Sequence, residues 1–213
     1  MVNECDKLQP QPPKFQFVGG DLSVDFCNTV GGKRGGIARE KLHSLSDFIA
    51  WSEQAKLLNP EQAQALRSYA TCHPSGAAKL LARATELREA IFRIFFSAAK
   101  DKKPAQDDMD LLNAELAASL GRLRIGRSKE NNAFAWQWAD EQLEPEHLMG
   151  PIVRSAAELL VQPDLVAKIH QCEGDNCGWL FVDCSKNHSR RWCDMRDCGN
   201  RAKVRRHRKR HKS

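Results

Sequence analysis

The chain has 213 residues and a formal net charge of +6, with 41% hydrophobic and 28% charged residues. This composition is typical of a soluble globular protein with one ordinary domain and a smaller second one, and it excludes a disordered chain. The most apolar run, residues 90–99, is too short to span a bilayer, and residues 1–17 lack a signal-peptide core. We therefore expect a cytoplasmic protein without a membrane partner.

The first 163 residues predict a mostly α (α+β) domain. Residues 1–14 read as a Pro-rich flexible lead, and the domain proper is expected over residues 15–163. Residues 22–30 fit both strand and helix periodicity, and the pattern does not decide between them. Apolar residues then recur at three- and four-residue spacing in five segments. The predicted helices cover residues 44–57, 59–70, 75–100, 104–120 and 145–161.

One segment of this domain departs from helical periodicity. Residues 121–140 alternate apolar with polar or small residues around a turn-like SKENN, which predicts a β-hairpin. Its aromatic stripe of Phe134, Trp136 and Trp138 is more typical of a core face than of base stacking, so we interpret it as core.

Three polar residues interrupt the apolar run near the N-terminus: Asp25, Asn28 and Thr29. They either line a pocket for a small-molecule effector or, as is more common, hold the local backbone as caps or turns. The chain contains no G-x-S-x-G, H-E-x-x-H or P-loop motif. We therefore expect no enzymatic activity.

The last fifth of the chain, beginning near residue 164, differs in both charge and cysteine content. Residues 171–213 hold twelve Lys/Arg and five Asp/Glu, whereas the first 170 residues hold 21 basic and 22 acidic residues. This asymmetry predicts a polyanionic partner. Five of the eight cysteines lie between Cys172 and Cys198. Clustered thiols in a reducing compartment favour a metal over disulfides.

Four of these cysteines form two pairs. Each pair is separated by four residues, and fifteen residues lie between the pairs. Paired thiolates allow a short chain to surround a tetrahedral zinc ion, with Zn–S bonds of about 2.3 Å. Gly174 and Gly178 are expected to relieve backbone strain where the chain turns around the metal. The motif predicts one Zn²⁺ per chain, with a closed set of ligands: Cys172, Cys177, Cys193 and Cys198.

The segment after Gly199 contains no Gly or Pro and predicts a strongly basic helix. Like charges repel on an isolated helix, and nucleic-acid phosphates would remove that repulsion. The alternative is a solvated tail. The residues expected to contact nucleic acid are Arg190, Arg191, Asn200, Arg201, Lys203, Arg205, Arg206, Arg208, Lys209 and Arg210.

Double-stranded DNA is the favoured partner, and a short helix would need a homodimer for specific recognition. One alternative is an RNA- or ribosome-associated protein that stacks bases on Trp179, Phe181 or Trp192. Another is a zinc-dependent protein-interaction module.

The C-terminal motifs resemble those of CGNR zinc-finger proteins, named for the tetrapeptide at residues 198–201. The upstream FVGGDLSVDFCNTV, with Trp51, resembles the opening of the ABATE domain, which precedes the finger in this bacterial family. The resemblance implies a stress-induced transcription regulator, located at the nucleoid, that binds DNA through a small zinc-bound ββα-like finger over residues 164–213. It gives the four paired cysteines a metal role, and Asn200, Arg201 and the following basic residues a nucleic-acid role. Cys184 departs from the pattern, because Ser or Thr is expected there.

Overall fold

The computed structural model describes residues 13–128, 132–138 and 144–210, and of Lys209 and Arg210 it describes the backbone alone. The helices are α1 Leu22–Cys27, α2 Leu45–Gln54, α3 Pro60–Cys72, α4 Pro74–Ala98, α5 Gln106–Leu120, α6 Gly150–Leu160, α7 Pro163–Val166 and α8 Asn200–Arg210. The strands are β1 Val30–Gly31, β2 Arg39–Glu40, β3 Leu123–Arg127, β4 Phe134–Trp138, β5 Ile169–Gln171 and β6 Leu180–Val182. They pair as antiparallel hairpins β1–β2, β3–β4 and β5–β6. The mostly helical fold with small hairpins is confirmed, and the undecided run at residues 22–30 begins as helix α1.

Two helices begin at residues that the sequence marks as caps. At α2, the Ser44 side chain accepts from the Asp47 backbone N–H, and Asp47 accepts from the Ser44 N–H. At α3, Asn59 and Gln62 make the same reciprocal pair, and Pro60 occupies the first turn. These bonds satisfy backbone donors that have no partner within the helix, so they fix where each helix starts.

The hydrophobic core is built around α4. Leu87, Ile91 and Phe95 recur at helical spacing along its buried face. Helices α1, α2, α3 and α5 all pack against α4. Between α1 and α2, the rings of Phe26 and Trp51 lie 5.2 Å apart, centroid to centroid, and both side chains are buried. No helix in the described ranges is long and apolar enough to cross a membrane.

Strand β6 belongs to two cores at once. Leu180 and Val182 pack into the main helical core, whereas Phe181, pointing the opposite way, packs with the four paired cysteines and Trp179. Alternate residues of a strand face opposite sides, so a three-residue strand can serve both cores. The cysteine-rich segment is therefore packed directly against the helical domain.

Asn28, at the end of α1, pairs with β6 as another strand would. Its Nδ2 donates to the Leu180 carbonyl at 2.9 Å, and its Oδ1 accepts from the Leu180 N–H at 3.0 Å. The neighbouring contacts extend this pairing. The Val182 N–H donates to the Gly19 carbonyl at 2.7 Å, and Trp179 Nε1 donates to the Val30 carbonyl at 2.8 Å. All of these bonds join the cysteine-rich segment to the start of the helical domain.

The β3–β4 hairpin is present as predicted, but its aromatic stripe does not lie in the core. Ile125, Phe134 and Trp136 are 66%, 71% and 53% exposed. The base of the hairpin packs against α6, where the Trp138 ring lies beside Gly150. Alternation in sequence predicts a buried face only when a second layer covers it. Among the described residues, α6 covers the base of the hairpin and extends one side chain, Arg154, over the Trp136 ring. The core interpretation of Phe134 and Trp136 is therefore wrong.

Replacing Asn28 tests the pairing with β6. We expect Asn28→Ala to lower the free energy of unfolding by about 2–4 kcal/mol, because the buried N–H and C=O of Leu180 both lose their partner. Urea denaturation measures this change. The matched control is Asn113→Ala on the exposed side of α5, which should change stability by less than about 0.5 kcal/mol. Equal effects of the two substitutions would contradict the assignment.

Candidate metal centre and nucleic-acid interface

The first cysteine pair lies in a tight turn between β5 and β6. Cys172 follows β5, and its N–H donates to the Trp179 carbonyl at 2.9 Å. The turn closes through the Cys177 N–H, which donates to the Gly174 carbonyl at 3.1 Å. Gly174 leaves room for the second cysteine pair, because a Cβ atom there would lie 3.0 Å from the Cys198 Sγ and crowd it. The strain argument made from the sequence is wrong for Gly174 and Gly178, since neither has a positive φ.

The second cysteine pair leads into the basic helix. Cys193 ends the loop after β6, and Cys198 lies within a π-helical turn, Met195–Gly199, that continues directly into α8. The Asp194 side chain caps this turn by accepting from the Arg196 N–H at 2.7 Å. The direction of α8 is consequently set by the position of Cys198.

The geometry of the four sulfur atoms fits a zinc ion. All four lie within 4.8 Å of one another and all four side chains are buried. The Cys177–Cys193 and Cys193–Cys198 Sγ separations are both 3.7 Å. Sulfur atoms at the corners of a tetrahedron with Zn–S bonds of about 2.3 Å lie about 3.8 Å apart. The four thiols are thus arranged as a closed tetrahedral site.

The protonation of these thiols also points to a cation. Hydrogen bonding with Cys172 raises the pKa of Cys177 to about 12, and the same neighbour raises the pKa of Cys193. Cys172 moves the opposite way, because Cys177 and Cys193 donate to it and lower its pKa to about 2. So many thiols this close cannot all ionise without a compensating positive charge. Zinc supplies that charge and displaces the remaining protons, so acid weakens its binding.

Arg201 touches the metal site directly. Its Nη2 lies 3.1 Å from the Cys198 Sγ and 3.1 Å from Asp197 Oδ2. The hydrogen bond to Cys198 raises the pKa of the guanidinium, and the nearby negative charges add to that effect. A zinc ion with four thiolates carries net negative charge, so Arg201 neutralises it and orients one ligand.

Family models match both the helical domain and the cysteine-rich segment. Residues 20–163 match the ABATE family model, whose description is "Putative stress-induced transcription regulator". The chain belongs to the ABATE family. Residues 168–211 match the CGNR zinc finger, and no curated protein matches the chain. The finger match and the cysteine cluster together identify the metal as one zinc ion, held by the four residues expected.

Several residues expected to contact nucleic acid are engaged in folding contacts. Arg190 turns toward the helical domain: its Nη2 donates to the Val18 carbonyl at 2.7 Å and also to the Cys193 carbonyl. Its Nε donates to the Trp192 carbonyl at 3.0 Å, and its guanidinium lies over the Phe181 ring at 4.4 Å. These contacts assign Arg190 to packing between the finger and the helical domain.

Two further arginines are paired with acids of the first cysteine turn. Arg191 Nε donates to Glu173 at 2.8 Å, and Arg205 forms an ion pair with Asp175. Because these pairs are half-exposed, each contributes little to stability, and a phosphate can replace the carboxylate at little cost. They also hold α8 and the loop against the first cysteine turn.

Another group of basic residues is free. Lys203, Arg206 and Arg208 are exposed, and none forms an ion pair with a described residue. Asn200 is exposed at the start of α8 and donates through Nδ2 to the Arg196 carbonyl at 3.1 Å. The side chains of Lys209 and Arg210 lie outside the described residues, although both belong to α8.

The three polar residues near α1 are buried and already partnered. Asp25 accepts from the Gly19 N–H at 2.7 Å, and burial raises the pKa of its carboxyl to about 6 despite that bond. Thr29 Oγ1 donates to the Phe26 carbonyl and accepts from Arg88. The clefts beside α4, beside α8 and at residues 17–20 are lined by other residues. Asn28 binds β6, a partner 152 positions away that no local pattern in the sequence indicates.

Removal of a zinc ligand tests the metal centre. We expect about one zinc per chain in the wild-type protein, and loss of most of it in Cys198→Ala, because three thiolates leave one tetrahedral position open. Mass spectrometry of the purified protein measures the zinc content. The matched control is Cys184→Ala, since Cys184 is exposed and outside the cluster. Equal zinc loss in both variants would contradict the assignment of the ligands.

Substitution of Arg201 tests its role beside the metal. Arg201→Ala should weaken zinc binding by roughly tenfold or more, as removal of partners behind a metal ligand commonly does. Transfer of zinc to a coloured chelator measures the effect. Lys203→Ala removes the same charge from the same helix without touching sulfur, and its zinc transfer should match that of the wild type. If Arg201→Ala transfers zinc no faster than Lys203→Ala, then the Arg201–Cys198 contact has no role in metal binding.

Proposed function

We propose that the protein is a DNA-binding transcription regulator in which zinc positions a basic helix for contact with the phosphates of duplex DNA. The observation that carries the proposal is that two groups of basic residues differ in their contacts. Arg190, Arg201 and Arg205 bind other groups of the protein, whereas Lys203 and Arg206 extend into solvent without a carboxylate partner among the described residues.

The position of α8 supports binding through a defined helical face. On a helix, Lys203 and Arg206 lie three residues apart and project from the same side. Arg201 and Arg205, four residues apart, lie on the side that faces Cys198 and Asp175. The free side of α8 is thus available to phosphates, and the release of counterions from DNA would favour binding. Asn200, exposed at the helix N-terminus, is placed where recognition helices commonly read base edges.

The burial of three aromatic rings in the finger disfavours the alternative in which RNA bases stack on them. Trp179 and Phe181 are buried around the cysteine cluster, and Trp192 is partly buried against it. Their rings are therefore not open platforms on which bases could stack. Duplex DNA remains the better fit for the finger, and nucleoid association follows from it. A single short helix covers few bases, so we propose that specific recognition uses two copies of the chain.

The salt dependence of DNA binding tests this proposal. If about five phosphates are neutralised, the logarithm of affinity should fall with the logarithm of salt concentration at a slope near −4.5. Lys203→Ala/Arg206→Ala should reduce the magnitude of that slope by about 2. Fluorescence anisotropy with a labelled duplex measures both slopes.

The control for this experiment has the same net charge. Lys79→Ala/Lys102→Ala removes two exposed lysines from the helical domain, and it should leave the slope within about 0.5 of the wild-type value. A nearly flat salt response of the wild type would refute DNA binding by the finger. Equal effects of the two double variants would refute the assignment to α8.

A further inference from the structure

The exposed face of the β3–β4 hairpin has no role in the metal site or in α8. Cross-strand neighbours are Ile125 with Trp136 and Arg127 with Phe134. Directly paired residues project from the same side of a hairpin, so these four side chains share one face. More than half of the surface of Ile125, Phe134 and Trp136 is accessible to solvent. An exposed apolar patch on a folded protein commonly marks a binding surface.

Arginines lie over the two exposed rings. The Arg127 guanidinium carbon is 4.8 Å from the centroid of Phe134, and that of Arg154 is 5.2 Å from the centroid of Trp136. Each ring is therefore held in place by a cation on one side. Arg154 also pairs with Glu158 at 2.7 Å, whereas Arg127 forms no ion pair with any residue that the structure describes.

The hairpin carries a net positive charge within a domain that is close to neutral. Residues 122–138 contain four Lys/Arg and one acid, although the first 170 residues together hold slightly more acids than bases. Arg124 and Arg127 are exposed and donate only to backbone carbonyls among the described residues. Arg127 lies on the same face as the two rings, whereas Arg124, opposite Gln137, projects from the other face. Because the Arg127 charge has no acid partner among the described residues, the aromatic face favours a polyanion over a second copy of the chain.

We propose that this hairpin face binds an unpaired stretch of nucleic acid, with bases stacked against Phe134 and Trp136 and phosphates paired with Arg127. Aromatic rings beside cations are the common means of binding single strands without sequence preference. Phe134 and Trp136 are two residues apart on one strand, about 6.8 Å along the backbone, so neighbouring nucleotides of one strand can reach both rings. This site is separate from α8 and does not depend on duplex binding by the finger.

The experiment compares a variant that loses both aromatic rings with a variant that keeps them, on a face that stays apolar in both. Phe134→Leu/Trp136→Leu keeps the face apolar but removes both rings, whereas Phe134→Tyr/Trp136→Phe keeps both rings. Both pairs are made in the full-length, zinc-loaded chain that already carries Lys203→Ala/Arg206→Ala, so that the contribution of α8 is reduced and is the same in every variant. The probes are labelled oligo(dT) and oligo(U) of about 15 nucleotides, which span one binding site of ordinary size.

We expect the leucine pair to bind both single strands at least about tenfold more weakly, because both rings on which bases stack are lost. The aromatic pair should bind within about twofold of its parent. Comparison of oligo(dT) with oligo(U) then shows whether the strand is DNA, RNA or either.

Two outcomes would overturn the proposal. One is equal single-strand affinity of the leucine and aromatic pairs, with zinc content and thermal midpoint unchanged. The other is a wild-type dimer in sedimentation velocity that the leucine pair abolishes while oligo(dT) affinity stays the same, which would make the face an interface between copies. Failure of duplex binding by α8 leaves both comparisons interpretable, since every variant carries the same α8 and differs only at the hairpin.

Discussion

The three residues of β6 pack the zinc finger against the helical domain. Leu180 and Val182 lie in the helical core, Phe181 lies against the zinc-binding cysteines, and Asn28 binds both backbone groups of Leu180. A finger of this size buries too little apolar surface to be stable alone. Here the metal supports one side of β6 and the helical domain supports the other, and the contacts of Trp179 with Val30 and of Arg190 with Val18 add to that support.

That arrangement fixes the direction of the basic helix. The last ligand, Cys198, lies in the turn that runs into α8, and Arg201 connects the first turn of that helix back to the sulfur. Many like charges on a free helix would repel and fray it. The thiolate of Cys198, Asp175 and Asp197 offset that repulsion on one side, which leaves the opposite side charged and unpaired among the described residues. The positive side chains of that side therefore have a defined orientation relative to the finger.

Much of this architecture could be predicted from the sequence, because the signals are local. Cysteine spacing indicated the ligands, and capping residues such as Ser44 and Asn59 indicated helix starts. Long-range partners could not be predicted. For Asn28, the sequence indicated either a ligand pocket or a hydrogen bond to the local backbone. Its partner in the structure is Leu180, 152 positions away. The stripe of Phe134 and Trp136 has the alternation of a core strand. Its exposure depends on which elements pack against the hairpin, and in the described part of the chain it lies largely open to solvent, which the sequence alone does not indicate.

The central claim is that zinc gives the basic helix its affinity for DNA. Its most direct test is a salt series of duplex binding by the full-length protein, before and after removal of zinc by a chelator, and again after zinc is restored. Every lysine and arginine remains present throughout. The account predicts that stripping zinc weakens binding by at least about tenfold at a given salt concentration, lowers the magnitude of the salt slope, and is reversed by zinc. Unchanged affinity and slope without zinc would mean that the basic segment binds as an unfolded polycation, and would contradict the account.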